Sequence, residues 1–414
     1  MKKIIKAILR PPYAYARYLC LRYIKQGFYT PAEVVSQEMD LKPVSDFPMS
    51  YFGYYNVSPE NDKGQVLYCV PTGKDRVSLY YCDAKGEHEI GETMAYNLQQ
   101  GCMSQWGYSN PSRAYYNRYN QSTDKYEGVV YDADAQKEID TLPMPIYALS
   151  KQEDYALSLN FDRLAEMRPD YGYFCRGRFE LPDDSHDGIW KIDIKTNSVS
   201  LIITLQQLID LKPVDSMIGA RHKVNHIDIC PNGDRFMFLH RWIGPQGRYM
   251  RLITADRNGG DLYILNGDKM SSHSCWLGND RIISFCYTNE FGNNYIEFID
   301  KSEIKKKISN NLPKVDGHPI LSPDCKWMIT DSYPQLNRFS SLYLYNFDQD
   351  QCFVLGRFYQ PLKYLNSNRI DLHPKLNQKC TKIYFESGHR GKKALYSLTV
   401  DKIFNNGSLV SNKI

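Results

Sequence analysis

The sequence predicts an all-β fold, a seven-bladed β-propeller preceded by a short helical N-terminal arm, and three observations support this prediction. From Tyr51 onward, short apolar and aromatic runs alternate with turn signals, and few segments have a helical period. Aromatic residues make up 13% of the 414 residues and include 33 Tyr, a composition that favours strands over helices. The turn signals recur roughly every 45–50 residues, which is the repeat length of propeller blades.

Residues 1–50 are predicted to form a basic N-terminal arm and a polar connector. The basic residues that precede the first acidic residue are Lys2, Lys3, Lys6, Arg10, Arg17, Arg22 and Lys25. The apolar piece at 4–9 is interrupted by Lys6 and followed by two prolines, so it is too short for a signal peptide. Two placements of the arm stay open: a helix packed on the domain, or a helix lying on an anionic membrane surface.

The composition indicates a cytoplasmic protein and gives no argument for a nucleic-acid partner. The 11 Cys are an odd number without CxxC pairs, which supports neither a disulfide framework nor a zinc ribbon and fits a reducing compartment. The net charge of +4 is too small to indicate nucleic-acid binding. No stretch approaches the ~20 apolar residues of a membrane span, so the basic arm is the part expected to make any peripheral membrane contact.

Residues 51–414 are predicted to form the propeller, with one blade for each turn signal. The turn signals are residues 58–61, 105–110, 150–154, 231–234, 276–280, 322–326 and 373–378. The interval between Asp154 and Pro231 is much longer than the others, which predicts an insertion. A strand near residues 53–57 is expected to close the ring beside the last blade. The alternative, a pair of β-sandwiches, predicts no regular long period.

Four histidines stand at matching places near these turn signals: His226, His273, His318 and His373. In a propeller the innermost strand of every blade lines the central channel, so residues there converge although they are distant in sequence. Asp371 and His373 are spaced i, i+2 and share one face of a strand. Imidazoles and a carboxylate that meet in this way predict a divalent-metal site. The alternative is that each histidine bonds only the backbone of its own turn.

These motifs resemble those of oligogalacturonate lyases, seven-bladed propellers that cleave short uronate oligomers by β-elimination with a manganese-type ion. The resemblance covers most of the chain from about residue 50 and is clearest in the C-terminal half. The matching segments are Gln100-Gly101 with Gln105-Trp106, and residues 226–242, 272–276, 317–319 and 368–374. The chain departs from the family where Asn368 replaces a glutamine, Asp371 replaces a histidine and Ser274 replaces a glutamate.

The resemblance implies a divalent cofactor, Mn²⁺ in the family, and assigns its ligands and the catalytic base. The expected metal ligands are His273, Asn368, Asp371 and His373. Asn and Asp offer oxygen ligands where the family has others, which still suits a divalent ion. His226 falls on the family's proposed base, which would remove the proton that the bound ion acidifies.

Further residues are expected to contact the substrate, an acidic oligosaccharide or glycan. The planar fork of arginine suits carboxylates, so arginines near the base are candidates. The expected residues are Arg221 and Arg241 beside the base, and Arg369, Gln105, Trp106 and His318 around the substrate.

The first function hypothesis is a divalent-metal-dependent carbohydrate lyase that cleaves uronate-containing oligosaccharides by β-elimination in the cytoplasm. The alternative is a non-catalytic propeller that binds a glycan or protein partner in a polysaccharide-handling assembly. Propellers host many functions, so the fold alone does not choose between the two. The basic arm mildly favours the second, because placement at a membrane edge suits an assembly.

Overall fold

A computed structural model gives the fold of the chain as a ring of seven β-sheets, which confirms the predicted seven-bladed propeller. It describes residues 39–175, 180–267, 269–365 and 368–400, the backbone of Ala32–Val34, and the single positions 12, 13, 16 and 19. The predicted helical arm lies almost entirely outside the described residues and stays a prediction.

The first four blades follow the chain outward from the channel as antiparallel meanders. Blade one contains β3 (Val66–Pro71), β4 (Val77–Asp83) and β5 (Gly86–Thr93). Blade two contains β6 (Gln105–Trp106), β7 (Arg113–Asn120), β8 (Lys125–Asp132) and β9 (Lys137–Leu142). Blade three contains β10 (Ala148–Leu149), β11 (Tyr155–Leu159), β12 (Gly188–Asp193) and β13 (Val199–Thr204). Blade four contains β14 (Arg221–Ile229), β15 (Arg235–Gly244), β16 (Gly247–Asp256) and β17 (Tyr263–Asn266).

The last three blades repeat this plan, and two of them gain a strand from the N-terminal side. Blade five contains β18 (Ser271–Leu277), β19 (Arg281–Thr288), β20 (Gly292–Ile299) and β21 (Lys305–Lys307). Blade six contains β22 (Ile320–Leu321), β23 (Trp327–Asp331), β24 (Phe339–Asn346) and β25 (Gln351–Tyr359), with β1 (Ala32–Val34) at its edge. Blade seven contains β26 (Lys375–Leu376), β27 (Lys382–Ser387) and β28 (Ala394–Thr399), with β2 (Leu41–Pro43) at its edge.

The ring closes through β2, which pairs antiparallel with β28 at the outer edge of blade seven. The sequence correctly predicted a closing strand from the N-terminal side but placed it near residues 53–57. The structure places it earlier, inside the predicted connector, so strands of the ring begin ahead of residue 51. Residues 53–57 do not form that strand, and Gly53 at their start has φ +136, outside the extended region.

Residues 52–55 instead turn into the central channel and are held there by blade seven. The amides of Phe52 and Gly53 donate to Oε1 of Glu386, at 3.1 and 2.8 Å. Lys393 forms an ion pair with the same buried carboxylate at 2.7 Å. A side chain at Gly53 would place Cβ 2.4 Å from the carbonyl oxygen of Gln100, so only glycine fits this approach.

Large side chains fill the space between neighbouring blades, where radiating sheets diverge. One such cluster joins Val130 of β8 to Ile192 of β12 across the gap between blades two and three. Tyr115 in the same cluster is 1% exposed, and its hydroxyl donates to Glu153 at 2.8 Å. Tyrosine suits this position because its ring fills volume while its hydroxyl keeps a polar partner. Tyr115 is thus one use that the architecture makes of the many tyrosines of the chain.

The predicted insertion is confirmed between β11 and β12, where the chain forms helix α1 (Phe161–Met167). Asn160 caps α1 by accepting from two backbone amides. Arg163 links α1 to the end of the insertion by an ion pair, in which its Nε lies 2.6 Å from Oδ2 of Asp187. A second helix, α2 (Leu205–Leu211), follows β13. Within the described residues, no helix has the length and hydropathy needed to cross a bilayer.

Candidate active site

The four channel histidines come from four successive blades and lie close together. The ring centroids of His273 and His318 are 3.9 Å apart, and those of His318 and His373 are 4.4 Å apart. His226 lies 5.6 Å from His273 by the same measure. The fold therefore gathers side chains that are separated by up to about 150 residues in sequence at one place in the channel.

Local breaks in the strand ladders direct these histidines toward the channel. The pairing of β14 with β15 shifts between Asn225 and Asp228, and His226 within that shift has φ +55. The pairing of β18 with β19 shifts between Ser271 and Ser274, around His273. His373 has φ +45 just before β26. A bulge re-aims a side chain out of the regular alternation, which is the effect needed here.

Three of the buried side chains have the arrangement of a metal site. The ligand atoms of His318, Asp371 and His373 lie within 4.8 Å of one another. Nε2 of His318, Oδ1 of Asp371 and both ring nitrogens of His373 are buried and have no hydrogen-bond partner among the described residues. Buried polar atoms almost always have partners, so this group fits a ligand that accepts electron pairs. Two imidazoles and a carboxylate suit a divalent transition metal.

Asp331 orients two of these residues from behind. Its Oδ1 accepts from the backbone amide of His318 at 2.7 Å and lies 2.8 Å from the ring Nδ1. Its Oδ2 accepts from the amide of His373 at 3.2 Å. Burial alone would lower the pKa of His318, but the charge and hydrogen bond of Asp331 outweigh burial and raise it. A carboxylate behind a histidine is the usual support of a metal ligand.

Arg369 holds the third member of the group. Its Nε donates to Oδ2 of Asp371 at 2.9 Å, and its Nη1 donates to Asp170 at 3.1 Å. Burial raises the pKa of Asp371 above its usual value, although the positive charge of Arg369 acts in the opposite direction. Arg369 was predicted to bind substrate, and the structure places it at the edge of the histidine group.

The other two predicted ligands have different positions. His273 is adjacent to the group, and its Nδ1 lies 3.2 Å from Oδ1 of Asp316. Asn368 is exposed, in contrast to the buried group. His318, which was expected to contact substrate, lies inside the group. The family resemblance suggested Asn368, but the chain enters the channel only after this residue.

Tyr54 forms the floor of the site, a role that the sequence analysis did not identify. Its hydroxyl lies 2.5 Å from Nδ1 of His226, and the two rings are stacked at 5.2 Å. Its ring is 5.3 Å from that of His373. Tyr55 is fixed beside it because its hydroxyl donates to the carbonyl of Ser274 at 2.8 Å. The available signal was the glycine at position 53, which argues against a regular strand.

His226 is half-buried, and its position is set by blade-two and blade-three residues. Its backbone amide donates to the hydroxyl of Tyr147 at 3.0 Å, and Gln100 donates to the same hydroxyl at 2.9 Å. Burial and the charge of Arg241 lower the pKa of His226 well below its usual range. The imidazole is therefore neutral near pH 7 and can accept a proton.

Arg241 is 8% exposed and lies near Tyr54 and Tyr171 at the site. Arg221 does not join it, because its guanidinium is more than half exposed and pairs with Glu166 at 2.5 Å. The difference follows from position, since Arg221 begins β14 at the rim of the blade.

Gln105 and Trp106, the remaining expected substrate contacts, lie in β6 of blade two. The indole of Trp106 donates to the carbonyl of Pro59 at 2.8 Å and packs edge-on against Tyr81. Both residues are buried, and the hydrogen bond and ring contact of Trp106 join blades one and two and do not reach the histidines. A dipeptide match cannot separate such buried positions from positions that contact a ligand.

No protein-family model and no characterised protein sequence matches the chain. Solved structures do. An oligogalacturonate lyase from Vibrio parahaemolyticus is 13% identical, with a TM-score of 0.63 over 89% of this chain and 96% of that one. An oligogalacturonate lyase in complex with manganese is also 13% identical, with a TM-score of 0.62 over 89% and 97% of the two chains. The tricorn protease, at 9% identity, has a TM-score of 0.52 over 89% of this chain and 35% of that one.

These comparisons place the chain among proteins with the propeller fold of oligogalacturonate lyases. Similarity at 13% identity supports the fold and leaves the chemistry to the residues at the site. The family resemblance predicted from the motifs is therefore confirmed for the architecture.

Proposed function

We propose that this protein is a divalent-metal-dependent lyase that cleaves uronate-bearing oligosaccharides by β-elimination. The observation that carries the proposal is the set of unpartnered, buried ligand atoms on His318, Asp371 and His373, close to a neutral His226. The fold shared with an oligogalacturonate lyase in complex with manganese supports the choice of reaction and of Mn²⁺.

In this proposal the metal ligands are His318, Asp371 and His373, with His273 beside them. Asn368, assigned by the family resemblance, is exposed and would need to move to take part. A bound divalent ion would withdraw charge from a substrate carboxylate and so acidify the neighbouring C–H bond. Arg369 keeps Oδ2 of Asp371 occupied, which leaves Oδ1 available as a ligand.

His226 would act as the general base. The C5 proton passes to its imidazole, the C4–C5 double bond forms, the bond from C4 to the glycosidic oxygen breaks, and that oxygen takes a proton from solvent. A carboxylate next to Arg241 would offset the charge that lowers the pKa of His226, so substrate binding would strengthen the base. Arg241 can pair with that carboxylate through two parallel hydrogen bonds.

The test is a metal analysis of the purified protein followed by incubation with a panel of uronide oligosaccharides. We expect stoichiometric manganese and a growing ultraviolet absorbance from the unsaturated product. A metal-free protein that stays metal-free after incubation with Mn²⁺ would overturn the proposal.

One observation favours the second candidate, a non-catalytic propeller that binds an acidic glycan or protein in a polysaccharide-handling assembly. The ring of Tyr54 lies among the channel histidines, and its hydroxyl forms a hydrogen bond with Nδ1 of His226. That ring nitrogen is therefore not available as a base. This candidate predicts tight binding of an acidic glycan without product on any uronide of the panel.

The location that we propose is the cytoplasm, with the basic arm as the part that would touch a membrane. The cysteines of the described part are free thiols, which fits a reducing compartment. Cell fractionation tests this location, and recovery of the protein from the medium would contradict it.

A further inference from the structure

The blade-three insertion brings a buried tyrosine to the channel. Tyr171 follows helix α1 and is 0% exposed. Its ring stands nearly perpendicular to that of His226, with the two centroids 5.4 Å apart. The ring of Tyr54 is 6.1 Å from it by the same measure. Tyr171 therefore lies beside both the candidate base and the floor of the site, although the proposed reaction does not use it.

The hydroxyl of Tyr171 is buried and has no hydrogen-bond partner among the described residues. Two nearby tyrosines differ in this respect. The hydroxyl of Tyr54 bonds with His226, and that of Tyr173 accepts from the side-chain amide of Asn117 at 2.9 Å. Buried tyrosine hydroxyls usually have a partner, so an unpartnered one beside the base indicates a place where a ligand atom binds.

Backbone contacts hold Tyr171 in position. Its carbonyl accepts from Nδ2 of Asn97 at 3.1 Å, and its amide donates to the carbonyl of Arg168 at 2.9 Å. The next residue, Gly172, packs so closely on α1 that a Cβ there would lie 2.0 Å from the amide nitrogen of Ala165. A side chain supported in this way is in place before a substrate arrives.

Positive charge surrounds the ring of Tyr171. The guanidinium of Arg168 lies over the ring, 4.7 Å from its centroid. Burial raises the pKa of Tyr171, whereas the charges of Arg168 and Arg369 act in the opposite direction. The hydroxyl therefore carries its proton near pH 7, and the two cations would stabilise the phenolate that forms when the proton leaves.

We propose that Tyr171 is a further catalytic residue, the general acid that protonates the glycosidic oxygen as it leaves C4. The inference rests on the proposed function. As the C5 proton passes to His226, the electron pair of the C5–H bond forms the C4–C5 double bond. The C4–O bond breaks with its electron pair on oxygen, and that oxygen takes the hydroxyl proton of Tyr171. The phenolate then takes a proton from solvent and His226 releases one, so solvent remains the final source of the proton.

The test compares two uronides that differ in the group at C4, with Mn²⁺ present. One carries a second sugar through a glycosidic oxygen, and the other carries a 4-nitrophenoxy group, which leaves as an anion and needs no acid. Tyr171→Phe should lower kcat/KM for the first by ~10²–10⁴-fold, the usual contribution of a general acid, and for the second by only a few-fold. Absorbance of the unsaturated product follows the first reaction, and release of nitrophenolate follows the second.

The matched control is Tyr173→Phe. It removes a buried hydroxyl from the same insertion, but one that already has a partner in Asn117. Tyr173→Phe should keep kcat/KM for both uronides within a few-fold of the wild-type values. Both variants should also keep stoichiometric manganese, which shows that the site is folded. Equal losses on the two uronides in Tyr171→Phe, or no loss on the glycoside, would overturn the role of Tyr171 as an acid.

The two proposals fail in different ways. Turnover of both uronides by the wild-type protein, with the glycoside still cleaved at the wild-type rate by Tyr171→Phe, would leave the lyase intact and remove the acid. Absence of product from both uronides with the wild-type protein would overturn the lyase and the acid together. His226→Ala should lose activity on both uronides, because the base is needed whichever group leaves.

Discussion

Blade four carries two histidines on one strand, and their surroundings differ. His222 lies in the regular part of β14 opposite Trp242, and its Nδ1 is 3.0 Å from Nε2 of His240 in the blade interior. His226, four positions later, lies in the register shift with a positive φ and meets Tyr54 in the channel. His222 has its hydrogen-bond partner within its own blade, whereas His226 contacts residues from other parts of the ring.

The comparison shows that departure from strand pairing, more than residue type, marks the site. His273 also lies at a register shift, and His373 has a positive φ just outside a strand. A backbone that leaves the ladder costs stability locally, so such positions persist where the surrounding structure fixes them. Here Tyr147 and Asp331 fix two of them through backbone amides.

The largest contrast should come from replacing each histidine of blade four. His226→Ala should lower turnover of a uronide substrate by ~10²–10⁴-fold, because the general base is lost. His222→Gln should retain turnover within a few-fold, because its partner is His240. Steady-state kinetics with metal analysis would check this, and equal losses in the two variants would contradict the distinction.

A smaller effect is expected from replacing Asp331, which holds two of the three candidate metal ligands, His318 and His373, in place. Asp331→Asn keeps the shape of the side chain but removes the charge next to His318, so metal affinity should fall by ~10–100-fold. Titration with Mn²⁺ measures the change. The matched control is Asp324→Asn, in the exposed turn of blade six, which should keep the wild-type affinity.

His222, in the regular part of β14, should instead contribute to stability at acidic pH. Burial, together with the charge of Arg251, lowers the pKa of His222 to about 4, while the unfolded chain titrates near 6.5. The unfolded state therefore takes up the proton first, so this contribution is complete above about pH 6.5 and is lost as the pH falls toward 4. The difference corresponds to roughly 3 kcal/mol at most.

Thermal melts across that pH range provide the measurement. His222→Gln should flatten the dependence of the melting temperature on pH. His186→Gln is the control, because His186 is largely exposed and pairs with Asp183 at the surface. A profile for His222→Gln that matches the wild-type profile would show that His222 does not titrate as described.

The smallest effect is expected at the floor of the site. Tyr54→Phe removes the hydroxyl from Nδ1 of His226 and keeps the ring. One hydrogen bond contributes about 1 kcal/mol net, so turnover should change by roughly 5-fold. Kinetics of Tyr54→Phe beside Tyr249→Phe, a tyrosine at the edge of blade four, would measure it. A loss as large as that of His226→Ala would mean that Tyr54 itself takes part in proton transfer.

The fold could be predicted because its signals are repetitive and local. Turn residues at a regular interval define the blades, and aromatic strands between them define the sheets. The convergence of His226, His273 and His373 follows from the same circular geometry. The closing strand was misplaced because a three-residue strand such as β2 carries almost no periodic signal.

Details of the site depend on contacts that no spacing encodes. The partner of His318 is Asp331, which belongs to the neighbouring strand β23, and Tyr54 at the floor of the channel lies 172 positions before His226. Asn368 matched a motif by position, yet it is exposed because the chain enters the channel only after it. Lys223 matches no motif, and only the structure shows that it is buried opposite Arg241.

The most direct measurement is the manganese content of the wild-type protein, His222→Gln and His373→Ala after equilibration with Mn²⁺. If ligands from separate blades bind one ion, the wild-type protein and His222→Gln should contain stoichiometric manganese, and His373→Ala should contain none. Retention of manganese by His373→Ala, or absence of manganese from the wild-type protein, would contradict it.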